Sequence, residues 1–255
     1  MWNTLIIDPM VNTLLWIYSV LGQNFGLAII VFTILIRLIT HPLNVQQIKG
    51  SQAMAEMQKS KQWQDIQKKY KDNKEKLQQE QMKLYQEMGV NPFSACLPTL
   101  IQFPIMIGLY QAIIRALAVT PIQLLDLSKH IYPFINASAL IPLNRTFLWM
   151  DLSQPERLYV FGFGVPILAI IVVVTSYFQS KLITPTAPTG DSSDQSNQMA
   201  RTMGITMPLF MGYIAYLYSS GLALYFVVSN LIGIVQYAMM GKANWRALLP
   251  SRSTK

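Results

Sequence analysis

The sequence predicts an all-α, polytopic membrane protein, a five-transmembrane-helix bundle with a cytoplasmic helical hairpin. Composition is the first reason. Of the 255 residues, 52% are hydrophobic and only 13% are charged, whereas about a quarter of the residues in an ordinary soluble domain are charged. The formal net charge is +8, which suits an acidic lipid surface or an RNA-rich partner. The other reasons are the lengths of the apolar stretches and the positions of the basic residues between them.

Five stretches are long and apolar enough, or nearly so, to cross a bilayer. A spanning helix needs about 20 mostly apolar residues, because the hydrocarbon layer is roughly 30 Å thick and each helical residue rises about 1.5 Å. We predict transmembrane helices at residues 25–43, 93–119, 158–181, 203–218 and 222–240. Prolines occur in the second and fourth of them, and membrane helices tolerate proline because neighbouring helices and waters satisfy the freed carbonyls.

The N-terminal stretch, residues 1–24, is apolar but is interrupted by polar residues and a proline. We predict an extracytoplasmic interfacial helix with Trp2, Trp16 and Tyr18 at headgroup depth. A signal peptide is the alternative. Against it, no Lys or Arg precedes Arg37 and no small-residue cleavage site stands out.

Basic residues set the expected orientation, since Lys and Arg concentrate in cytoplasmic loops. Nine lysines lie between residues 44 and 92, two basic residues flank the segment after the third span, and four lie in the tail. The other side holds only Lys129, Arg145 and Arg157. We therefore predict an N-terminus outside the cell and a C-terminus in the cytoplasm, which agrees with an odd number of spans.

Residues 44–92 predict a soluble helical hairpin, because they are almost free of Gly and Pro and rich in Gln, Lys, Glu and Met. A polar break near residues 71–76 separates two arms, each with apolar residues at roughly helical spacing. These residues are Met54, Met57, Trp63, Ile66 and Tyr70 in the first arm, and Leu77, Leu84, Tyr85 and Met88 in the second. The stripe predicts mutual packing of the arms; a surface for a partner or for lipid is the compatible alternative.

Three further segments complete the chain. Residues 120–157 contain prolines and aromatics and predict an irregular extracytoplasmic loop lying on the membrane. Residues 182–202 are polar and predict a flexible cytoplasmic linker. Residues 241–255 form a basic cytoplasmic tail, which fits either an anchor at the acidic membrane surface or contact with ribosomal RNA.

Arg37 is the most informative single residue, because it lies inside the apolar run VFTILIRLITHP at residues 31–42. A charge there faces a cavity, a partner or the headgroups, since its insertion costs a few kcal/mol. Snorkelling is one explanation, because Arg37 lies only about 7 to 8 Å from the cytoplasmic end of the helix. However, Thr33, Thr40 and His41 lie at i−4, i+3 and i+4 from it and extend a polar stripe. The stripe favours a wet surface facing other helices.

Polar side chains also occur in other predicted spans, where each alone is more often a helix-to-helix hydrogen bond than a functional group. They are Gln102, Gln111, Thr175, Ser176, Gln179, Ser229, Asn230 and Gln236. No predicted span contains Asp or Glu. Together these residues predict a positively charged hydrophilic pocket, and the lack of membrane carboxylates argues against ion-coupled transport.

Nothing in the sequence predicts an enzyme. It contains no Gly-rich phosphate loop, no nucleophile elbow and no zinc-binding histidine pair. One cysteine and two histidines make a Cys/His metal site improbable, so we expect no metal, no cofactor and no catalytic residue.

The motifs of the chain resemble a known family. The runs IRLITHPLNVQQIKGSQAMAEMQ, IQKKYKDNKEKLQQEQMKLYQEMGVNPFSACLPTLIQFPIMIGLY and SGLALYFVVSNLIGIVQ resemble the core of the YidC-type membrane protein insertases, bacterial relatives of the mitochondrial oxidase-assembly and chloroplast Albino insertases. The resemblance covers about residues 20 to 242. Its specificity comes from the order and spacing of KYK, QxxMxLYxExGVNP, CLPxLxQxPI and SNLxxxxQ.

The resemblance implies a five-helix bundle in a bacterial plasma membrane, with a hydrophilic groove open to the cytoplasm and lipid. The hallmark arginine corresponds to Arg37, and a threonine one turn earlier corresponds to Thr33. The implied function is insertion and folding of small membrane proteins without nucleotide hydrolysis. We expect the groove to contact substrate through Arg37, Thr33, Thr40, Gln102, Gln111, Gln179, Ser229, Asn230 and Gln236.

Nascent membrane proteins and lipids are the implied partners, and the general secretion channel, targeting factors and the ribosome are further candidates; no DNA partner is expected. The sequence departs from the family at Phe226, where a tryptophan is frequent, and it resembles the minimal form without a large extracytoplasmic domain. Two other functions stay open. An anion transporter or channel would use Arg37 as its anion site, and an assembly scaffold would depend on the hairpin instead.

Overall fold

The structure is a computed structural model. It describes residues 2–70, 73–90, 97–117, 120–133, 135, 140, 143–160, 163–183 and 202–240. Residues 184–201 of the predicted linker, the whole predicted tail, Cys96 and the start of the predicted second span therefore lie outside the described residues.

Helices dominate the described chain. The ten α-helices of the described part are α1 (Asp8–Val20), α2 (Phe25–Ile39), α3 (His41–Lys59), α4 (Lys61–Lys69), α5 (Lys74–Glu87), α6 (Leu97–Ala116), α7 (Pro121–His130), α8 (Ile167–Ile183), α9 (Met207–Leu217) and α10 (Ser220–Met239). Two π-helical turns, Asn3–Ile7 and Thr202–Thr206, lead directly into α1 and α9.

The described chain is mostly helical, as predicted, and also contains two small antiparallel sheets that the prediction lacked. Strands β1 (Thr146–Phe147) and β2 (Met150–Asp151) pair with each other, as do β3 (Leu158–Val160) and β4 (Phe163–Val165). The predicted third span was to begin at residue 158, but its helix α8 begins at Ile167 after the second hairpin. A short apolar run does not distinguish a strand from a buried helix, which explains the error.

The chain divides into two compact units. The first contains residues 1–39, 102–176 and 208–233, and the second contains residues 40–101, 177–207 and 234–255. In the first unit, α1 packs against α2. The buried residues Val11, Leu14, Leu15 and Tyr18 lie at i, i+3, i+4 and i+7 of α1, so they form one face of the helix.

The N-terminal helix is thus part of a protein core as well as an expected interfacial element. Trp2 and Trp16 are exposed, as a headgroup position requires. Tyr18 is instead fully buried, and its hydroxyl accepts a hydrogen bond of 2.9 Å from the backbone N–H of Asn144. The rest of this core comes from α2, α6, α7, α8, α9, α10 and the segment between α7 and α8.

The segment between α7 and α8 that contains the two strand pairs is tied to the start of α10. The backbone N–H groups of Ser220 and Gly221 donate to the carbonyls of Gln154 and Leu152, at 2.8 and 3.1 Å. The Ser220 hydroxyl donates to the carbonyl of Asp151 at 2.6 Å. These bonds satisfy N–H groups that a helix start cannot pair internally, so the predicted irregular loop is locally ordered here.

Among the described helices, α10 alone is long and apolar enough to cross a membrane by itself. Two pairs of consecutive helices meet the same criteria when each pair is counted as one bent span. They are α2 with α3, and residues 102–116 with α7, where the bend is 116°. Shorter apolar helices cover Ile167–Leu182 and Gly204–Leu217. Since the described part supplies up to three spans, the count of five stays a prediction.

In the second unit, α4 and α5 pack against each other as the sequence predicts for the hairpin. Met57, Trp63 and Leu84 form its core, and the rings of Trp63 and Tyr85 meet edge to face at 5.7 Å. The predicted mutual packing of the two arms is confirmed for these residues.

The first arm has a break that the sequence analysis did not predict. Ser60 has an extended backbone between α3 and α4, and its hydroxyl accepts a hydrogen bond from the N–H of Trp63. Asn73 caps α5 in the same way through the N–H of Lys76. A side-chain cap of this kind contributes about 1 kcal/mol to a helix start, so two caps fix the turns of the hairpin.

Candidate functional site

Helix α2 positions Thr33 and Arg37 one turn apart. The helix is otherwise almost wholly apolar, and the two residues share a face because they are four positions apart. Thr33 is fully buried, and its hydroxyl donates to the Ile29 carbonyl of its own helix at 2.6 Å. Arg37 is half-buried in the last turn, where a cation interacts favourably with the helix dipole.

The expected polar stripe along this helix is shorter than predicted. Helix α2 ends at Ile39, and α3 begins at His41 with Pro42 in its first turn. Proline is favourable at the start of a helix but not in its interior. Within the predicted span at residues 25–43, the helix therefore breaks at Thr40, and α2 and α3 meet the criteria for a span only as a pair bent by 59°.

Arg37 contacts Ser229 of α10, which lies 192 residues further along the chain. Its Nε donates to the Ser229 hydroxyl oxygen at 2.8 Å, and Nη2 donates to the same atom. Ser229 is only 3% exposed. Hydrogen bonds from an ionised donor are about twice as strong as neutral ones, and Ser229 is itself uncharged, so this contact orients the guanidinium without neutralising it.

Tyr225 extends the contact to a third helix. It lies four residues before Ser229 on α10, and the two side chains are hydrogen-bonded. The Tyr225 hydroxyl also accepts a hydrogen bond from the side-chain amide of Gln102 on α6. The structure thus brings Arg37, Ser229 and Gln102 together through Tyr225. We call these four residues the arginine cluster.

A second polar contact joins α10 to α8. The side-chain amide of Asn230 donates to the hydroxyls of Thr175 and Ser176, at 3.1 and 2.7 Å. Since Asn230 follows Ser229 directly, adjacent residues of α10 bond to two different neighbouring helices. Interhelical bonds of this kind contribute about 0.6 kcal/mol on average inside membranes, so this pair supports the packing around the arginine cluster.

The remaining predicted groove residues have other surroundings. Gln111 is exposed, and its side-chain carbonyl accepts a hydrogen bond of 3.0 Å from the Trp2 indole. In the second unit, the side-chain amide of Gln236 lies 3.3 Å from Nδ1 of His41, and Thr40 and Gln179 are half-buried.

The chain matches the model of a known protein family over most of its length. Residues 16–246 match the model of the 60Kd inner membrane protein family. The chain belongs to this family.

Relatives within the 60Kd inner membrane protein family are similar over most of the chain. Membrane protein insertase YidC of Oceanobacillus iheyensis is 36% identical over 245 residues, which cover 94% of this chain and 84% of that protein. Membrane protein insertase MisCA of Bacillus subtilis is 36% identical over 239 residues, covering 92% and 77%. Membrane protein insertase YidC 2 of Listeria innocua is 35% identical over 239 residues, covering 92% and 70%. The resemblance to YidC-type insertases is confirmed.

Two positions that matter for this family member were missed by the sequence analysis. Tyr225 was not named, although it precedes Ser229 by one helical turn and that spacing could have revealed it. Arg115 of α6 was also not considered. Its guanidinium lies 3.4 Å from the carboxylate of Asp8 on α1 and 3.8 Å from that of Asp126 on α7. Arg115 therefore links three helices through ion pairs that do not involve the arginine cluster.

Phe226, at which the resemblance led us to expect a tryptophan in many relatives, is buried in the core of the first unit. Its ring lies 5.7 Å from that of Tyr225. In this member of the 60Kd inner membrane protein family, a ring without a hydrogen-bonding group therefore packs beside the arginine cluster.

A surface cavity of about 310 Å³ lies elsewhere in the first unit. Its lining consists of Pro9, Asn12, Thr13, Trp16 and Tyr132, none of which is a predicted groove residue. Among the described residues, no group of three or more His, Cys, Asp or Glu is placed to hold a metal ion.

Proposed function

We propose that this protein is a membrane protein insertase and chaperone, which inserts small membrane proteins and helps them fold through a groove open to the cytoplasm, without nucleotide hydrolysis. Membership of the 60Kd inner membrane protein family and the names of its relatives support the activity. The observation that supports the mechanism is Arg37, half-buried in an apolar helix and hydrogen-bonded to Ser229 of another helix.

The physical task of an insertase is to lower the cost of moving a polar segment through hydrocarbon. Each backbone or charged group of that segment loses water on entry, and each loss costs several kcal/mol. A hydrophilic surface that reaches part-way into the membrane shortens the dry part of the path. The substrate's apolar helix then moves into lipid, and this favourable transfer draws the substrate forward without ATP or GTP.

Arg37 gives this surface its electrostatic preference. A guanidinium in a partly dehydrated site attracts a carboxylate more strongly than it would in water, because the effective dielectric constant is lower. Its side chain also presents five N–H donors. We therefore assign to Arg37 the transient binding of acidic residues in the polar segment of the substrate.

The other proposed groove residues support substrate binding by Arg37 in different ways. Ser229, Tyr225 and Gln102 orient the guanidinium through their hydrogen bonds, and Asn230 holds α10 against α8. Thr33, Thr40, Gln111, Gln179 and Gln236 complete the proposed substrate-contacting set.

The proposed setting is the bacterial plasma membrane, crossed by five helices, with the N-terminus outside and the C-terminus in the cytoplasm. The excess of basic residues in the hairpin and tail supports this orientation. Nascent membrane proteins and membrane lipids are the proposed partners, with the general secretion channel, targeting factors and the ribosome as further ones.

The test uses the purified chain in liposomes that contain no other protein. Insertion of a single-span substrate is scored by protease protection of its translocated tail, with an acidic tail compared against a neutral one. The variants are Arg37→Gln, which removes the charge, and Arg37→Lys, which retains it. Arg157→Gln is the control, because Arg157 is an exposed arginine of the same unit that contacts Tyr216 and not the arginine cluster.

Arg37→Gln is expected to lower insertion of the acidic-tailed substrate several-fold and that of the neutral one much less, whereas Arg157→Gln matches the native chain. Arg37→Lys should retain part of the activity. Equal insertion by the native chain and Arg37→Gln would refute the electrostatic role and leave the insertase activity standing. Anion flux through the liposome membrane without insertion would instead favour a transporter.

A further inference from the structure

Helix α7 exposes apolar side chains on the face turned away from the protein core. Leu127 is fully buried in the core of the first unit. Ile122 and Leu125 are 81% and 60% exposed, and they lie on one face because they are three positions apart. A helix that is apolar on both faces is costly in water, since exposed apolar surface is solvated unfavourably.

The protein holds α7 in a fixed orientation. A capping box between Thr120 and Gln123 fixes its first turn. At its other end, the side chain of Asn12 on α1 donates to the His130 carbonyl at 2.9 Å and accepts from the Tyr132 N–H at 2.7 Å. Asn12 is almost completely buried, so these are protected bonds. The exposed apolar face is therefore presented at a set angle.

That angle suits a helix lying along a membrane surface. The chain bends by 116° between residues 102–116 and α7. If the preceding segment crosses the bilayer, α7 runs closer to the membrane plane than to its normal. Helices of this kind bury an apolar face at the boundary between headgroups and acyl chains.

The charges on α7 fit a phospholipid surface. Lys129 is exposed and follows Leu125 by four residues, so it lies on the same face. A lysine there can extend its ammonium to lipid phosphates while its stem stays in the apolar layer. The acid of this helix, Asp126, follows Ile122 by four residues and lies at the other edge of the face, where its carboxylate is 3.8 Å from the Arg115 guanidinium, which offsets its charge.

We propose that α7 is an anchor in the outer leaflet of the bilayer, with Ile122 and Leu125 among the acyl chains and Lys129 at the phosphates. The proposal rests on the membrane orientation proposed above and not on the insertase activity. Because α7 is clamped to α1 through Asn12, the anchor sets the depth of the N-terminal helix in the membrane.

The test measures the depth of single nitroxide spin labels on the full chain. Cys96→Ser provides a background without thiols, and labels are placed through Ile122→Cys, Leu125→Cys and Ser128→Cys. The chain is reconstituted into liposomes of phosphatidylethanolamine and phosphatidylglycerol. Collision of each label with oxygen, which concentrates in lipid, is compared with collision with a water-soluble nickel chelate. Ser128 is the comparison position, because it is exposed and lies about 120° around the helix from Ile122, at the edge of the apolar face next to Leu125.

Labels at 122 and 125 are expected to favour oxygen over the nickel chelate several-fold more than the label at 128. All three positions are exposed, so labelling should not disturb folding, and no substrate is needed. Labels at 122 and 125 as open to the nickel chelate as the label at 128 would overturn the proposal. The exposed face would then meet water, and a protein partner would be its occupant.

Discussion

Close packing of α8 against α9 depends on the missing side chain of Gly212. Gly212 is buried in α9. A Cβ atom there would lie 2.1 Å from Cγ2 of Val173 on α8, whereas ordinary contact begins near 3.4 Å. Inside a membrane, where apolar burial gives little driving force, small residues let helices approach closely and gain contact energy. The substitution Gly212→Ala should therefore separate or distort the pair.

The expected cost follows from that shortfall of more than 1 Å. Val173 cannot relieve it easily, because a valine in a helix strongly prefers one χ1 rotamer. Overpacking of this kind typically costs about 1–3 kcal/mol. The next atom in the way, the backbone oxygen of Ala169, is 3.6 Å from the new Cβ, so the clash is confined to one side chain.

A double-mutant cycle isolates this contact. Gly212→Ala, Val173→Ala and the combined variant are compared by the midpoint of unfolding in detergent, followed by tryptophan fluorescence. Since Val173→Ala deletes the clashing methyl group, the combined variant should recover most of the lost stability, with a coupling energy of about 1–3 kcal/mol. Gly204→Ala is the control, because its Cβ would meet nothing within 4 Å.

Two results would refute the reasoning. One is a Gly212→Ala variant as stable as Gly204→Ala, which would mean that the two helices are not closely packed. The other is a combined variant no more stable than Gly212→Ala, which would mean that the cost arises elsewhere.

Further expectations concern the arginine cluster and the hairpin. Tyr225→Phe should destabilise the first unit by about 1–3 kcal/mol, because Ser229 and Gln102 lose the Tyr225 hydroxyl as a hydrogen-bond partner. The unfolding midpoint checks this, and an unchanged midpoint would contradict it. Trp63→Ala should cost the hairpin about 3–5 kcal/mol, seen as faster proteolysis between residues 44 and 92, and native-like resistance would contradict the packing. Burial raises the pKa of Tyr85 above its usual value. The neutral Tyr85 hydroxyl therefore stabilises the hairpin at pH values below the pKa of tyrosine in the unfolded chain, near 10. This contribution is lost as pH rises through the pKa of Tyr85 in the folded protein. Tyr85→Phe should remove this alkaline sensitivity, measured by the same proteolysis.

The sequence alone determined features that depend on one element or on a linear order of motifs. Helical spacing identified Met57, Trp63 and Leu84 as the hairpin core, because a 3.6-residue period reports which residues share a face. The length and hydropathy of the last predicted span match helix α10. The motif order identified the family, and composition marked a membrane protein before any contact was known.

Local breaks were harder to predict. The residues before Thr40 are apolar and those after it are mixed, but only Pro42 signalled that α2 would stop at Ile39. Ser60 ended a helix that composition favoured throughout. Strands β3 and β4 pair with each other although the hydropathy of this stretch suits a span. At Ser60 a side-chain cap, and at β3 and β4 a strand partner, supported the alternative conformation, and hydropathy encodes neither.

Only the tertiary structure decided which polar residues meet. Arg37 and Ser229 are 192 residues apart in the chain, and Gln102 and Tyr225 are 123 apart. Periodicity shows which face of a helix is polar, but it does not show which other helix covers that face, because coverage depends on how several elements pack together. For the same reason the sequence could propose nine groove residues without showing which of them are in contact. The structure joins Arg37, Gln102 and Ser229 through Tyr225, a residue the pattern had not singled out.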